Sequence, residues 1–238
     1  FAPQTGPVQF WRPERALAGR ARGQCAFGEV RIDAGIEEGG SITPWYDPMV
    51  AKLIAHGRDR NDAIRRLMAA LEDSPLLGVR NNARFLRDLL DHPDFRAARM
   101  HTATIDQWMQ DGVALLQAPL ADANTWALAA AALVAQTSGA FRPDSVAAWS
   151  TTLSLQGTTE SQNVRIRPHG RQVSVELASG EAFDFEHIAL EDHRLLYRQS
   201  GVQRQALCLL QGGQVTLALG AAVFVFAEKS PFPQAEQA

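Results

Sequence analysis

The chain has 238 residues, of which 46% are hydrophobic and 21% charged, and its formal net charge is −3. This length leaves room for two domains with a substantial core in each, and the composition excludes a disordered, collagen-like or disulfide-stapled protein. The negative charge and the scattered arginines argue against a nucleic-acid-binding surface, so no nucleic-acid partner is expected.

Membrane and secretion signals are also missing from the sequence. No apolar run reaches the roughly 20 residues of a membrane span, so no membrane partner is expected. Cys25 and Cys208 lie far apart, without CxxC spacing, and are interpreted as reduced thiols of a cytoplasmic protein. The first residues, FAPQTGPVQFW, lack the features of a signal peptide. They are typical of the middle of a domain, which predicts a fragment of a longer protein.

The first hundred residues begin with strand signals. Short β-like runs are predicted at residues 8–11 and 29–33, and a turn is predicted at residues 39–40. The apolar run of residues 49–55 predicts a short buried strand.

Two amphipathic helices are predicted next. Residues 59–62 supply N-cap candidates for the first, and its apolar face consists of Ala63, Ile64, Leu67, Met68 and Leu71. The second starts at about Asn82 and has Pro93 near its end. Its apolar face consists of Phe85, Leu86, Leu89 and Leu90.

The second half of the chain combines one unusual helix with a β-rich tail. Residues 126–137, WALAAAALVAQT, are apolar nearly all round, with Asn124 or Thr125 as the predicted N-cap, and such a helix is normally buried on every side. Residues 148–227 carry β-like runs at about ten-residue spacing, which is typical of an antiparallel sandwich or barrel. Together these patterns predict a barrel-like sheet curved around the helix, in a protein of the α+β class.

Motif spacing alone identifies no catalytic or metal site. The sequence has no GxxxxGK[ST] or GxGxxG phosphate loop and no GxSxG elbow. Its six histidines show no HxxxH or HExxH spacing, so no metal site is predicted. The chain therefore lacks the parts of a self-sufficient enzyme.

Arg31 is a candidate site residue with two interpretations. In the β-like segment GEVRID, Val30 and Ile32 share one face, whereas Arg31 and Asp33 point the other way. Arg31 is either an exposed strand residue paired with Asp33 or a guanidinium directed at an anionic substrate oxygen.

The PWYDP sequence of residues 44–48 precedes Lys52, one of only two lysines in the chain. It is interpreted as a rigid turn before a strand. The rigid-turn interpretation includes Tyr46 and Asp47, and Lys52 is predicted to lie one step off the buried face.

Five motifs occur in a characteristic order, namely FAPQTG, EVRIDAGI, GSITPWYDPMVAKLIAHGRDRNDAIRRLMAAL, LLGVRNNARFL and HPDFRAARMHTATID. In this order they resemble the C-terminal subdomain of biotin carboxylase from the biotin-bearing subunits of acyl-CoA carboxylases. The WRP of residues 11–13, the apolar helix and the β-rich tail look most like the 3-methylcrotonyl-CoA and geranyl-CoA carboxylase branch. In that branch a BT domain, a helix wrapped by an antiparallel barrel, docks the subunit onto its carboxyltransferase partner.

The resemblance implies two domains: a mixed sheet-and-helix biotin carboxylase C-terminal subdomain at residues 1–111 and a BT domain at residues 112–238, with its helix at 125–137 and its strands at 148–227. The partners implied are the carboxyltransferase (beta) subunit, reached through the BT domain, and further alpha subunits in a hetero-oligomer.

The full-length enzyme is expected to use biotin, ATP and Mg²⁺. It would carboxylate biotin with bicarbonate and pass the carboxyl group to an acyl-CoA such as 3-methylcrotonyl-CoA. The sequence lacks the ATP-grasp motifs and the A-M-K-M biotin-acceptor motif, so the chain is expected to bind none of these cofactors and to be inactive alone.

The resemblance also assigns roles to two arginines. Arg31 matches an arginine that lies beside the reacting biotin and is thought to stabilise its enolate, and Arg60 matches one at the dimer interface of some relatives. Two alternatives stay open. The chain is a docking module in which Arg31 is structural, or it is a fragment of a geranyl-, propionyl- or acetyl-CoA carboxylase or of a related urea or pyruvate carboxylase.

Overall fold

The structure is a computed structural model that describes residues 4–13, 30–45, 48–137, 150–169 and 172–229. The chain divides into two compact units, Phe1–Pro119 with Gly220–Ala222 and Leu120–Leu219 with Val223–Ala238. The predicted domain boundary between residues 111 and 112 stays a prediction.

The first unit mixes short strands with helices. Its strands are β1 (Gly6–Pro7), β2 (Val30–Ala34), β3 (Ser41–Ile42) and β4 (Ala51–Ala55). Strands β1 and β3 form one antiparallel pair, and β2 and β4 form another. The helices are α1 (Arg60–Asp73), α2 (Ala83–Asp91), α3 (Pro93–Arg96) and α4 (Thr104–Gln110), followed by a 3₁₀ turn at Ala114–Leu116.

The strand predicted at residues 8–11 is wrong. Strand β1 ends just before it, and within the run only Phe10 makes a β-bridge, to Leu77. The apolar side chains of Val8, Phe10 and Trp11 are nevertheless buried. The β-like pattern of this run thus reflects core packing, while its amide groups donate to carbonyls of two separate segments, Gly40 and Leu77.

The prediction of a buried strand at residues 49–55 is also wrong in part. Strand β4 starts at Ala51, and its side chains alternate between half-buried and exposed. Because β4 belongs to a two-stranded sheet covered on one face, Lys52 and Ile54 remain exposed. The expected position of Lys52, one step off the buried face, is confirmed.

The two amphipathic helices are confirmed. Asp59 caps α1 by accepting the Asp62 backbone N–H at 2.8 Å. Ile64 and Leu71 of α1 and Leu90 of α2 form one buried cluster. Pro93 lies just beyond the end of α2, as predicted. It also occupies the first position of α3, where its missing N–H costs no hydrogen bond.

The second unit is a helix inside a closed antiparallel barrel. The helix is α5 (Ala123–Thr137). The strands are β5 (Thr151–Gln156), β6 (Ser161–His169), β7 (Gln172–Leu177), β8 (Ala182–Glu191), β9 (Arg194–Gln199), β10 (Val202–Gln211), β11 (Gln214–Leu219) and β12 (Ala222–Glu228). Their order around the barrel is β10-β11-β12-β5-β6-β7-β8-β9. The predicted barrel around the apolar helix and the α+β class are confirmed.

The barrel interior is filled by α5 and by inward-facing strand residues. Every residue of α5 from 126 to 134 is buried. The inward strand positions pack on it, for example Leu155, Val164, Ile166, Val173, Val175, Phe185, Leu195, Leu217 and Phe226. The helix is narrow enough for the space that eight strands enclose because it is rich in alanine, with six alanines at positions 123, 127 and 129–132.

The N-cap predicted for α5 is wrong. The helix starts at Ala123, earlier than the apolar run, and Asp122 supplies the cap by accepting the Thr125 N–H at 2.7 Å. The side chain of Asn124 instead accepts a hydrogen bond from Gln199 Nε2 of the barrel wall. None of the helices in the described part of the chain has the length and apolarity of a membrane span.

Candidate functional site

Arg31 lies on the exposed side of the β2–β4 sheet. Its neighbours on the partner strand are fixed by the register, which places Arg31 opposite Ile54 and Asp33 opposite Lys52. Nη2 of Arg31 is 3.0 Å from Oδ2 of Asp33, and the two side chains are 70% and 52% exposed. The predicted alternation of faces is confirmed, and the Arg31–Asp33 pair named in the first of the two interpretations is present.

We define the outer face as the exposed side chains of Arg31, Asp33, Lys52 and Ile54. It carries two cations and one anion, so its net charge is positive. The Arg31 guanidinium has five N–H donors in a planar fork, and Asp33 accepts from one of its nitrogen atoms. The remaining donors face solvent and suit an anionic group brought to this face from elsewhere.

The PWYDP turn lies beside the outer face in sequence. Tyr46 and Asp47 are outside the described residues, so the assignments made for them stay predictions. Trp45 is 85% exposed and Met49 is 61% exposed. Trp45 lies within the turn and Met49 directly follows it, and both apolar side chains stand largely outside the core.

Arg60, the candidate interface residue, is engaged within the first unit. Its Nη2 donates to the Phe95 carbonyl at 2.6 Å, and its guanidinium lies over the Phe95 ring at 5.0 Å. Its Nε also approaches the Arg96 carbonyl at 3.4 Å. Arg60 thereby satisfies carbonyls at the C-terminal end of α3, a position that favours cations. Its role at an interface stays a prediction.

Asp62 forms a charge cluster that sequence reasoning missed. This buried carboxylate accepts the Arg58 backbone N–H at 3.2 Å, Arg65 Nη2 at 2.5 Å and Arg66 Nε at 3.1 Å. The Arg58 amide and then the two guanidinium groups hold the pKa of Asp62 well below its usual range. The sequence signal that could have revealed this cluster is the spacing of Arg65 and Arg66, which stand three and four residues after Asp62. The cluster fixes the start of α1 rather than forming a reaction site.

A second ion pair lies at a shallow concavity lined in part by Trp11 and Ile36. There Arg12 Nε donates to Glu38 Oε2 at 2.6 Å, and its Nη2 donates to Oε1. The bidentate pairing commits this guanidinium to a carboxylate. Arg12 is therefore not free to hold a phosphate group.

The described residues include no cluster suited to Mg²⁺. Among them, no group of three or more His, Cys, Asp or Glu side chains is arranged to hold a metal ion. Arg31 stands on an open strand face rather than in an enclosed cavity, and Arg12 is bound to Glu38.

Comparison with known proteins finds a family match for the first part of the chain. Residues 1–107 match the biotin carboxylase C-terminal domain. The outer face, Arg60 and the Asp62 cluster all belong to this domain. The match supports the resemblance to a biotin carboxylase C-terminal domain that the five motifs carry, and the predicted subdomain bounds of residues 1–111 stay a prediction.

Curated relatives carry carboxylase names. The chain is 35% identical over 142 residues to the propionyl-CoA carboxylase alpha chain of Ruegeria pomeroyi, an alignment that covers 56% of this chain and 21% of the relative. It is 32% identical over 111 residues to the mitochondrial methylcrotonoyl-CoA carboxylase subunit alpha of Oryza sativa subsp. japonica, covering 47% of this chain and 14% of the relative. The chain thus spans about a fifth or less of these relatives, and the 3-methylcrotonyl-CoA type is one of several.

Solved structures include similar chains. The biotin carboxylase domain of the 2-oxoglutarate carboxylase of Hydrogenobacter thermophilus, solved with MgADP, ADP and bicarbonate, is 26% identical with a TM-score of 0.37. That alignment covers 46% of this chain and 22% of the other.

Proposed function

We propose that this chain is part of the biotin-bearing subunit of a biotin-dependent carboxylase. The observation that carries the proposal is the match of residues 1–107 to the biotin carboxylase C-terminal domain. The names of the relatives support the reaction class, and the small share of each relative that the chain spans supports a larger subunit. The intact subunit carboxylates biotin with ATP and bicarbonate, and the carboxyl group then passes to an acyl-CoA such as 3-methylcrotonyl-CoA.

The 238 residues alone are proposed to be inactive. We propose that ATP, Mg²⁺ and the biotin-bearing segment are supplied by other parts of a cytoplasmic subunit, because this sequence has no ATP-grasp motifs and no A-M-K-M biotin-acceptor motif. The test is ATP hydrolysis that depends on both bicarbonate and biotin, measured for the intact subunit and for this chain alone. We expect activity in the intact subunit only, and bicarbonate- and biotin-dependent hydrolysis by the isolated chain contradicts the proposal.

The second unit is proposed to dock the subunit onto a carboxyltransferase (beta) subunit. Its support is the architecture that the resemblance implies for a BT domain, a helix enclosed by an antiparallel barrel. The test deletes residues 120–229 from the intact subunit and measures both assembly and biotin carboxylation. We expect the deletion to abolish co-elution with the beta subunit while carboxylation of free biotin persists. Unchanged co-elution contradicts docking through this unit.

For Arg31 we propose the catalytic role that the resemblance implies. Its guanidinium points away from the core and keeps N–H donors available to an oxyanion. The second candidate, a structural role, is favoured by the 3.0 Å pair with Asp33.

Three variants of the intact subunit separate these two roles. If Arg31 stabilises a developing oxyanion, Arg31→Ala lowers kcat for biotin carboxylation by about 10²–10³-fold without changing assembly, and Arg31→Lys recovers part of the loss. Asp33→Asn breaks the ion pair but leaves the guanidinium, so it serves as the matched control. Equal losses in the Arg31→Ala and Asp33→Asn variants, or a change in assembly, assign Arg31 to the structural role.

Arg60 is proposed to contribute to contacts between alpha subunits. Because its guanidinium also holds the carbonyls of α3, Arg60→Ala is compared with Phe95→Leu, which removes the ring but keeps the carbonyl. Analytical ultracentrifugation decides between the roles. A weaker assembly in Arg60→Ala alone supports the interface, whereas unchanged assembly restricts Arg60 to holding α3.

A further inference from the structure

The corner between α2 and α3 is held by His92, a residue that the proposed function does not use. The His92 backbone N–H donates to the Leu89 carbonyl at 3.1 Å and ends α2. Its side-chain Nδ1 accepts the Asp94 backbone N–H at 3.2 Å and begins α3. One residue therefore ends one helix and caps the next.

This hydrogen bond fixes the protonation state of the ring. A ring nitrogen accepts a hydrogen bond only when it carries no proton, so the cap requires a neutral imidazole with its proton on Nε2. A proton on Nδ1 would point directly at the Asp94 N–H, which is also a donor. Capping of α3 and protonation of His92 are thus mutually exclusive in this geometry.

An alternative partner for a protonated ring lies close by. Oδ2 of Asp94 is 3.8 Å from His92 Nδ1, and Oδ1 of the same carboxylate pairs with Arg99. From α4 the ring of Trp108 packs on the imidazole, with centroids 4.5 Å apart at 54°. The other charged groups on the surrounding elements lie on all three helices. They are Arg84, Arg87, Asp88 and Asp91 of α2, where the arginines pair with the two carboxylates, Arg96 of α3, which also pairs with Asp91, and Asp106 of α4.

We propose that His92 is a proton-operated switch at the α2–α3 corner. When neutral, the imidazole caps α3. When protonated, it releases the Asp94 N–H and turns its Nδ1–H to the Asp94 carboxylate. Helix α3 has only four residues, so loss of its cap loosens the whole helix. Its C-terminal carbonyls hold Arg60, and protonation of His92 therefore also frees that side chain.

The test compares amide hydrogen exchange in α3 between the wild-type protein and His92→Asn. Asparagine is a strong N-cap that does not titrate, so this variant keeps the cap at every pH. Comparing the two proteins at the same pH removes the pH dependence of exchange chemistry itself. We expect equal exchange of the Asp94 and Phe95 amides at pH 8, and about fivefold faster exchange in the wild type at pH 5.5, the factor expected for a lost cap.

Two results overturn the proposal. Equal exchange at pH 5.5 means that protonation leaves the cap in place, and a difference that persists at pH 8 means that His92 acts through packing alone. His92→Ala lacks the cap throughout and is expected to exchange fast at both pH values.

If His92→Asn does not fold, the wild-type protein decides by NMR. The Asp94 amide proton is expected to lose its hydrogen-bonded chemical shift between pH 8 and pH 5.5, and an unchanged shift overturns the proposal. The protonated His92 ring is expected to quench the fluorescence of the Trp108 indole. Comparison with Trp108→Phe identifies the part of the tryptophan emission that comes from Trp108. None of these measurements requires carboxylase activity, so they stand apart from the test of the proposed function.

Discussion

Gly157 should be intolerant of any side chain because it lies against the indole of Trp126. A methyl group at this position would lie 2.8 Å from Cη2 and 2.9 Å from Cζ2 of the indole, well inside the roughly 3.5–4.0 Å of a favourable carbon–carbon contact. Trp126 is buried and packs edge-on against Phe226, with ring centroids 4.7 Å apart. The ring therefore has no space into which it can retreat.

We expect Gly157→Ala to destabilise the barrel by about 1–3 kcal/mol, the cost typical of overpacking. For a unit of this size, that lowers the midpoint of thermal unfolding by at least about 4 °C. The measurement is urea and thermal unfolding followed by circular dichroism. Gly35→Ala is the control, since no atom lies within 4 Å of its added methyl group, and its effect should stay within about 0.5 kcal/mol.

A double-mutant cycle tests the assigned cause. Trp126→Phe removes the indole atoms that the new methyl group meets, so Gly157→Ala should cost less in that background. Wild-type stability in Gly157→Ala, or strict additivity with Trp126→Phe, would refute the reasoning.

Three further predictions concern buried groups. Ala130→Leu adds volume inside the closed barrel and should cost about 1–3 kcal/mol or more, whereas Leu at the exposed Ala182 should be nearly neutral in the same urea titration; equal effects would contradict the barrel packing. Because the pKa of Asp62 is held below its ordinary value of about 4, its stabilisation is present above that pH and is lost as the pH falls further. The difference in urea midpoint between the wild type and Asp62→Asn should therefore shrink from pH 7 to pH 3, and a constant difference would contradict the cluster. Burial raises the pKa of the Cys208 thiol to about 12, so in a Cys25→Ser background it should resist a thiol reagent at pH 8 until guanidinium unfolds the protein; rapid labelling of the native protein would contradict its burial.

The second unit was predictable because its patterns are redundant. An all-apolar helix needs cover on every side, and a series of short β-like runs with regular turn signals supplies a sheet that can close around it. The N-cap was missed because the polar residue that supplies it, Asp122, stands four positions before the apolar run begins. The helix extends past its own hydrophobic pattern at this end, and periodicity does not report such an extension.

The first unit was less predictable because each of its sheets has only two strands among the described residues. In residues 8–11 the apolar side chains are buried without forming a strand, and in residues 49–55 one face of the strand stays exposed. Apolar runs report burial, and they do not report how many strands pair. The orientation of Arg31 followed from strand alternation. Its function did not, since strand alternation fixes the face on which a side chain lies and not the group that this face contacts. The His92 cap depends on a three-dimensional hydrogen bond and had no sequence signal beyond a histidine before a proline.

The central claim is tested most directly by carboxylation of biotin itself. The intact subunit that contains this chain is incubated with ATP, Mg²⁺, free biotin and ¹⁴C-bicarbonate, and acid-labile label in biotin is counted. The account predicts incorporation that requires ATP. Absence of label from biotin with an intact subunit that binds ATP would contradict the assignment to biotin-dependent carboxylases.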